Sequence, residues 1–409
     1  HDYHMFAKKI EEAFNEMEFP ENYNKHTISD SIMNLLQYMD YDLNEEKIRQ
    51  RQDLLDRKQL RFLGINVGHL MGEILGDDDE EIKKAIDQYV EDKDLARKLV
   101  AKWFNRREDG TMNMDIVRDR GAYNANTLDA EIAKNSARGY SILRDAGMDL
   151  VPNTFVVFSV LNFVKNYHLT EAITAAFDIH IRTQFDNPVM ERRVARAAAK
   201  FNDKYRRGHS IWTTSFLYQL EWNEDIENIF FNDYWIDTED QEAYEDRKRK
   251  FEDSDLFKLK YVGKSNAHNF MFEPIGKNIH INDLAKIGTI RNIQEAFAGL
   301  QKNFDVFKPK IPVMSTDPVK AKIGKKEGLE GGEVFEVLEL YLDEESGRIK
   351  FESIDQVTVD KKSIWDNRYR AEIDLEGGET VELSDKNFTE FKGGKSSIEN
   401  GMLLRMVKK

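Results

Sequence analysis

The chain has 409 residues, of which 40% are hydrophobic and 33% are charged, a balance that is compatible with packed globular domains. Its 60 lysines and arginines against 75 aspartates and glutamates give a net charge of −15, so we expect no nucleic-acid partner, although a local basic patch remains open. Cysteine is absent, which excludes disulfides, thiolate metal sites and cysteine nucleophiles.

Residues 1–150 predict a helical region. Apolar residues recur at helical spacing over 81–104 and, less regularly, over 128–146, where Gly147 is the predicted stop. The acidic run at 77–81 is typical of a helix N-terminus, where the helix dipole favours negative charge. It lacks the alternating spacing and the glycine of a calcium loop, so we do not interpret it as a metal site.

Glycine recurs at every fourth position in the segment 64–76. On a helix these residues share one face. Each glycine destabilises the helix by up to about 1 kcal/mol relative to alanine, so a repeated glycine indicates a structural or functional requirement. Close approach of a second helix is one such requirement, and we expect packing within the domain, with a partner helix or a membrane as the alternatives. The segment is too short to cross a bilayer. The four glycines are Gly64, Gly68, Gly72 and Gly76.

Residues 151–307 predict a mixed region of helices and strands. The apolar, β-branched run at 154–164 is typical of a buried strand, and 212–222 alternates with a period of two. The even positions of 212–222 form a large aromatic face, which we expect to be buried; exposure to a sugar or peptide is the alternative. The other predicted elements are a strand at 256–262 and helices at 170–184, 188–207 and 283–303.

The predicted helix 188–207 is the concentrated basic element of the chain. Its basic face steps by four residues, through Arg192, Arg196, Lys200 and Lys204, with Arg193 and Arg207 beside them. Its opposite face is apolar and carries Val194, Ala198, Phe201 and Tyr205. Such a basic face is solvated, paired with acids such as those at 237–246, or bound to an anionic surface, and these alternatives stay open here.

The last quarter of the chain predicts a small all-β domain. Three prolines (Pro309, Pro312 and Pro318) predict a linker at 308–318, because proline stiffens an extended chain. Short apolar runs separated by glycine-rich turns over 319–409 favour a barrel or sandwich. The predicted fold class is therefore α+β: a helical region, a mixed α/β region at 151–307, a linker and a small all-β domain.

Two stretches of this β domain resemble a group of known sequences. IGKKEGLEGGEVFEVLE at 323–339 and IWDNRY at 364–369 are similar to C-terminal segments of uncharacterised exported proteins from Gram-negative anaerobes. The resemblance implies export to the periplasm or envelope and carries no chemistry with it. A start at His1 is what removal of a signal peptide leaves, and also what a cloning choice leaves, so a cytoplasmic location is the alternative.

No motif in the chain identifies a reaction. The nine histidines show no metal-ligand spacing, and neither HExxH nor GxSxG is present, so we expect no metal and no cofactor. The glycines between 324 and 332 do not form a phosphate-binding GxxxxGK[ST] loop.

Three functional hypotheses remain. The leading one is a non-enzymatic, envelope-associated binding or scaffolding protein with a protein partner, which it contacts through the glycine-striped helix and the β domain. The alternative is a hydrolase with a cleft between the middle and C-terminal regions, lined by carboxylates. The candidate carboxylates are Glu224, Asp225, Glu227 and Asp233. A third hypothesis attaches the protein to anionic lipid through the helix 188–207.

Overall fold

A computed structural model describes residues 12, 13, 16, 79–124, 144, 147–167, 170, 188–206, 208–237, 244–272, 281–342, 349–373, 382, 385–394 and 397–407. Within these ranges the chain forms helices, a three-stranded antiparallel sheet and a closed six-stranded barrel, which confirms the α+β class. The glycine stripe at 64–76 and the helix predicted at 170–184 lie outside the described residues, apart from residue 170. The same is true of the helix predicted at 128–146, apart from residue 144.

The helix predicted at 81–104 is two helices in the structure. Helix α1 spans Asp79–Asp92 and helix α2 spans Leu95–Trp103. They are separated at Asp94, whose φ of 50° lies in the left-handed region that an α-helix does not contain. Three acids occupy the first turn of α1, as the helix dipole favours. Helix α3 follows at Asp115–Asn124.

The sheet has three antiparallel strands with β2 in the centre. Strand β1 spans Phe155–Lys165 and β2 spans Gly208–Leu220, which confirms the strands predicted at 154–164 and 212–222. Strand β3 spans Leu259–Phe272 and is longer than the strand predicted at 256–262.

Both faces of β2 are covered, so the prediction of a single buried aromatic face was incomplete. On the even face, Phe216 and Tyr218 pack against Ile82 and Ile86 of α1. On the odd face lies helix α7, which spans Ile281–Asn303 and matches the helix predicted at 283–303. The odd face reads as polar in the sequence, but Thr213 and Ser215 on it are buried and have hydrogen-bonding partners.

Asn292 of α7 is the centre of that buried polar contact. Its side chain is 0% exposed, and its amide nitrogen donates to the Ile211 carbonyl at 3.1 Å and to the Thr213 hydroxyl at 2.8 Å. Its amide oxygen accepts from Asn269 of β3 at 3.1 Å. One side chain therefore ties α7 to two neighbouring strands, β2 and β3.

Three further helices complete the described part of the middle region. Helix α4 spans Pro188–Tyr205, α5 spans Glu224–Ile229 and continues as a π-helical turn at Phe230–Tyr234, and α6 spans Tyr244–Glu252. Among the helices in the described ranges, none combines the length and the apolar character that a membrane crossing needs.

The barrel contains six short strands in the order β4-β5-β8-β7-β6-β9, and β9 pairs with β4 to close it. Buried aliphatic and aromatic side chains fill its interior, among them Val313, Phe335, Val357, Phe391 and Leu404. The strands are β4 Lys310–Thr316, β5 Val319–Ala321, β6 Val334–Leu342, β7 Ile349–Val359, β8 Thr389–Gly393 and β9 Leu403–Met406.

The structure corrects the predicted linker at 308–318, because most of this segment is strand β4 of the barrel. Ile311 and Val313 alternate inward and are buried, whereas Pro312 between them is exposed. A proline cannot donate to a strand ladder, but an outward-facing proline in a short strand leaves the inward packing intact. The prolines therefore obscured a period-two pattern that the barrel core uses.

Candidate functional site

The basic face of α4 is the candidate site that the described residues support. Arg192, Arg193, Arg196 and Lys200 are all exposed, and we call these four the basic stripe. At 3.6 residues per turn they fall within an arc of about 100° on the helix surface. Successive steps of four residues also place Arg192, Arg196 and Lys200 about 6 Å apart along the helix axis. The stripe is thus one continuous cationic surface.

None of the four side chains of the basic stripe makes an ion pair or a hydrogen bond with another residue in the described ranges. The acids that the sequence offered as partners include Asp246, which is engaged elsewhere. Its carboxylate pairs with Arg249 at 2.8 Å and with Lys250 at 2.8 Å, both in α6. The prediction of internal pairing is therefore not met by Asp246, and the stripe faces solvent.

Small and acidic residues lie at the borders of the basic stripe. Ala195 and Ala199 are exposed beside it, so the helix surface there carries no bulky neighbour. Asp203 is exposed on the same face, one turn beyond Lys200, and marks the end of the cationic surface. Lys204 lies in the last turn of α4, but its side chain is outside the described part, and so is all of residue 207.

The carboxylates of the hydrolase hypothesis lie on α5 and on the π-helical turn after it. Glu224 and Asp225 are exposed in the first turn of α5, a position that the helix dipole favours. Glu227 accepts a hydrogen bond from the Trp222 indole at 3.2 Å. Each of these three acids therefore has a structural explanation that needs no substrate.

Asp233, the fourth carboxylate, lines an open pocket of about 440 Å³ between the π-helical turn and α6. The described residues that line it all belong to the middle region: Asp233, Tyr234, Arg249, Lys250, Asp253, Ser254 and Asp255. The contact with Asp246 raises the pKa of Lys250, so an ammonium group stands beside the carboxylates. Within the described residues, no three histidine, aspartate or glutamate side chains converge enough to hold a metal ion.

The two stretches that carry the sequence resemblance contact each other through residues that precede β6 and follow β7. Gly324 forms a parallel bridge with Trp365, and the Lys325 backbone N–H donates to the Trp365 carbonyl at 2.9 Å. The Asn367 side chain donates to the Glu327 carboxylate at 2.8 Å. These contacts form one hydrogen-bonded junction between 323–339 and 364–369, which we call the motif junction.

Asp366 is the charged centre of the motif junction. Arg368 donates to both of its carboxylate oxygens, at 2.8 and 2.7 Å, and Lys325 donates at 2.9 Å. Burial raises the pKa of this carboxyl, but the hydrogen bonds from Arg368 and Lys325 outweigh burial and lower the pKa to about 2. All three charged groups are paired within the junction, so these contacts hold the two stretches together.

The ionised Asp366 is expected to stabilise the fold above pH 4 and to lose that contribution on acidification. The pKa of Asp366 in the folded protein is about 2, below the ordinary value of 3.8. Its contribution to the free energy of unfolding is therefore complete above pH 3.8 and is lost as the pH falls through 2. Asp366→Asn should lower the free energy of unfolding by roughly 1 kcal/mol at pH 6, after allowance for solvent screening. The difference in unfolding free energy between this variant and the unmodified protein should become smaller between pH 4 and pH 2. Urea unfolding at several pH values measures this difference in unfolding free energy.

Asp225→Asn, at an exposed acid of α5, is the control for the Asp366 prediction. The prediction is wrong if the stability difference for Asp366→Asn stays constant over that acidic range.

No protein-family model matches the chain, and no curated protein shows significant similarity to it. The function is therefore inferred from the charges and contacts of the surfaces described above.

Proposed function

We propose that this protein is a non-enzymatic, envelope-associated binding and scaffolding protein, and that the basic stripe of α4 holds it against an anionic membrane surface. The observation that supports this proposal is the exposure of four basic side chains that have no ion-pair or hydrogen-bond partner among the residues the structure describes. Cationic side chains that are not engaged within the protein are available to lipid phosphates, and a helix can lie flat along such a surface.

The expected binding is weak and strongly dependent on salt. Each lysine or arginine near an anionic leaflet contributes about 1 kcal/mol, so the four residues of the stripe contribute about 4 kcal/mol together. The protein as a whole carries a charge of −15 and is repelled by the same surface. That repulsion is screened beyond about 8 Å at physiological salt, so α4 must make the contact at close range.

The envelope location in this proposal comes from the resemblance of 323–339 and 364–369 to exported proteins. The scaffolding role is supported by large apolar side chains that the barrel exposes, Met314, Tyr341 and Phe351, at 47%, 43% and 39% of their surface. Such residues are enriched at protein contacts. A membrane-bound α4 would leave the barrel to contact a protein partner.

Reversing two charges of the basic stripe should abolish vesicle binding. We expect the full chain to cosediment with vesicles of phosphatidylglycerol and phosphatidylcholine at low salt, and not with phosphatidylcholine alone. The double variant Arg192→Glu and Arg196→Glu changes the local charge by four units, which removes about 4 kcal/mol, the whole expected gain. Raising the salt to about 0.5 M, where the Debye length is a few ångströms, should release the unmodified protein.

The matched control places the same change of charge elsewhere. Lys258 and Lys260 are exposed on either side of Leu259, the first residue of β3, and Lys258→Glu with Lys260→Glu alters the net charge by the same amount. This control should retain most of the binding. Equal loss in both double variants, or no binding to anionic vesicles at low salt, contradicts the proposal.

The hydrolase alternative rests on the Asp233 pocket and ranks second. The described residues that line that pocket come from the middle region, whereas the hypothesis required a cleft against the barrel. Screening the full chain against ester, glycoside and peptide substrates, with Asp233→Asn as the comparison, tests it: hydrolysis that this substitution removes would favour the alternative.

A further inference from the structure

Strand β1 lies at an edge of the three-stranded sheet. Among the described strands only β2 pairs with it, over eleven residues and without a bulge. An edge strand offers backbone N–H and C=O groups to a further strand, because every second residue directs these groups away from its neighbour. Proteins block such an edge with charged residues, prolines, bulges or a covering element. An edge without these devices is available for pairing.

The two edges of the sheet differ in these blocking devices. At the opposite edge, β3 carries the exposed Lys260 and also Lys264, which forms an ion pair with Asp79 of α1. The register of β3 against β2 also shifts beside Gly263. In β1, residues 155–164 include no charged residue, no proline and no glycine. The β3 edge therefore resists the addition of a strand, whereas the β1 edge permits it.

The side chains of β1 are apolar on both faces of the sheet and are only half-buried. On the even face, Val156, Phe158 and Val160 lie at the border of the cluster beneath α1. On the odd face, Phe155 and Val157 lie at the border of the cluster beneath α7. A strand that completes their burial has to be uncharged and apolar on both of its own faces.

We propose that the edge of β1 pairs with β1 of a second copy of this chain, antiparallel and about a twofold axis at Ser159. The strand β1 is itself uncharged and apolar on both faces, as its occupant has to be. Pairing about Ser159 sets Phe158 opposite Val160 of the partner subunit, and Val157 opposite Leu161 of the partner subunit. Pairs of aromatic and β-branched side chains directly opposite each other stabilise antiparallel strands.

Charge favours the β1 edge as the place where two copies meet. Each copy carries a net charge of −15, so two copies repel each other on average, whereas β1 brings them together through an uncharged stretch. A twofold axis uses the β1 edges of both copies at once, and β3 blocks the edges that remain. The association therefore closes at a dimer with one continuous six-stranded sheet and does not extend into a fibre.

Sedimentation equilibrium of the full chain without lipid tests the dimer. We expect reversible dimerisation between about 1 and 100 µM, and we expect it to persist at about 0.5 M salt, because salt screens the repulsion between the copies. The same salt should release the protein from anionic vesicles, so this proposal and the proposed function can fail separately. A chain that stays monomeric at about 100 µM overturns the proposal, and an extended segment of a different protein then becomes the occupant to test.

Val160→Lys should weaken the dimer at least about tenfold, because it places two ammonium groups beside the twofold axis. Asn266→Lys is the matched control. Thr214 of β2 pairs with Val160 on one side and with the exposed Asn266 on the other, so the control adds the same charge to the same face at the opposite edge. It should leave the dimer intact. An intact dimer in Val160→Lys, or an equal loss in both variants, overturns the proposal.

Ser159→Cys keeps the proposal falsifiable if Val160→Lys does not fold. The chain has no cysteine of its own, and directly opposite residues of antiparallel strands have Cα atoms about 4.5–5.5 Å apart, which a disulfide can bridge. Under mild oxidation by oxidised glutathione, Ser159→Cys should form a covalent dimer. Ser265→Cys, in the same row of the sheet on β3, should not. No crosslink in Ser159→Cys, or equal crosslinking of both variants, contradicts the proposal.

Discussion

Replacement of Gly324 by alanine is expected to destabilise the barrel by about 3 kcal/mol. A Cβ atom at this position would lie 2.3 Å from the Trp365 carbonyl oxygen and 2.4 Å from the Asn367 side-chain oxygen. Neither oxygen can retreat freely, because the first accepts from the Lys325 N–H at 2.9 Å and the second from the Lys326 N–H at 2.8 Å. The added methyl group therefore has to break contacts of the motif junction.

Urea unfolding followed by circular dichroism measures the effect of Gly324→Ala. Lys322→Ala, at an exposed position two residues earlier, is the control and should change stability by less than about 0.5 kcal/mol. If Gly324→Ala behaves like this control, the close approach of the two stretches is not a feature of the folded protein.

Asn292→Leu should lower the free energy of unfolding by about 4 kcal/mol, because it removes the hydrogen-bonding partner of several polar groups at once. Leucine cannot donate to the Ile211 carbonyl or the Thr213 hydroxyl, and it cannot accept from Asn269. Each buried polar group left without a partner costs about 1–3 kcal/mol. The loss should loosen α7 from both β2 and β3, because the same side chain bonds to the two strands.

The same substitution at Asn303, the exposed last residue of α7, is the matched control for Asn292→Leu. Amide hydrogen exchange of β2 and β3 adds a local measurement: faster exchange in both strands is expected for Asn292→Leu alone. Unchanged denaturation and exchange would show that the apolar surface of leucine compensates for the lost hydrogen bonds.

Local patterns predicted most of the described elements. The helix predicted at 188–207 is α4 at Pro188–Tyr205, and β1 and β2 were predicted from apolar and alternating runs. The linker at 308–318 failed for a physical reason. The prolines were interpreted as residues that interrupt secondary structure. Whether Ile311 and Val313 lie in a strand depended on β9, a partner strand far along the chain.

Partners distant in sequence also explain why the sequence did not predict burial on the polar face of β2. Thr213 is buried because Asn292 reaches it across 79 residues, and Ser215 is buried because its hydroxyl lies 2.8 Å from that of Ser159. A periodicity argument treats such side chains as outward-facing. Only the fold shows which polar residue supplies the compensating hydrogen bond.

The candidate sites divide in the same way. The basic stripe follows from spacing alone, but whether it pairs with acids such as Asp246 depends on the fold, in which Asp246 pairs with Arg249 and Lys250 instead. The contact between 323–339 and 364–369 was likewise invisible, although both stretches stood out separately.

The closing strand of the barrel has a consequence for biosynthesis. Strand β9, at Leu403–Met406, bonds to β4 on one side and to β6 on the other. While the ribosome has yet to release these residues, both neighbours present open edges, which are templates for association with other chains. A chain that is truncated before residue 403 therefore has a barrel with two open edges and is a substrate for quality-control proteases. Synthesis through residue 406 adds β9, which pairs with both edges at once.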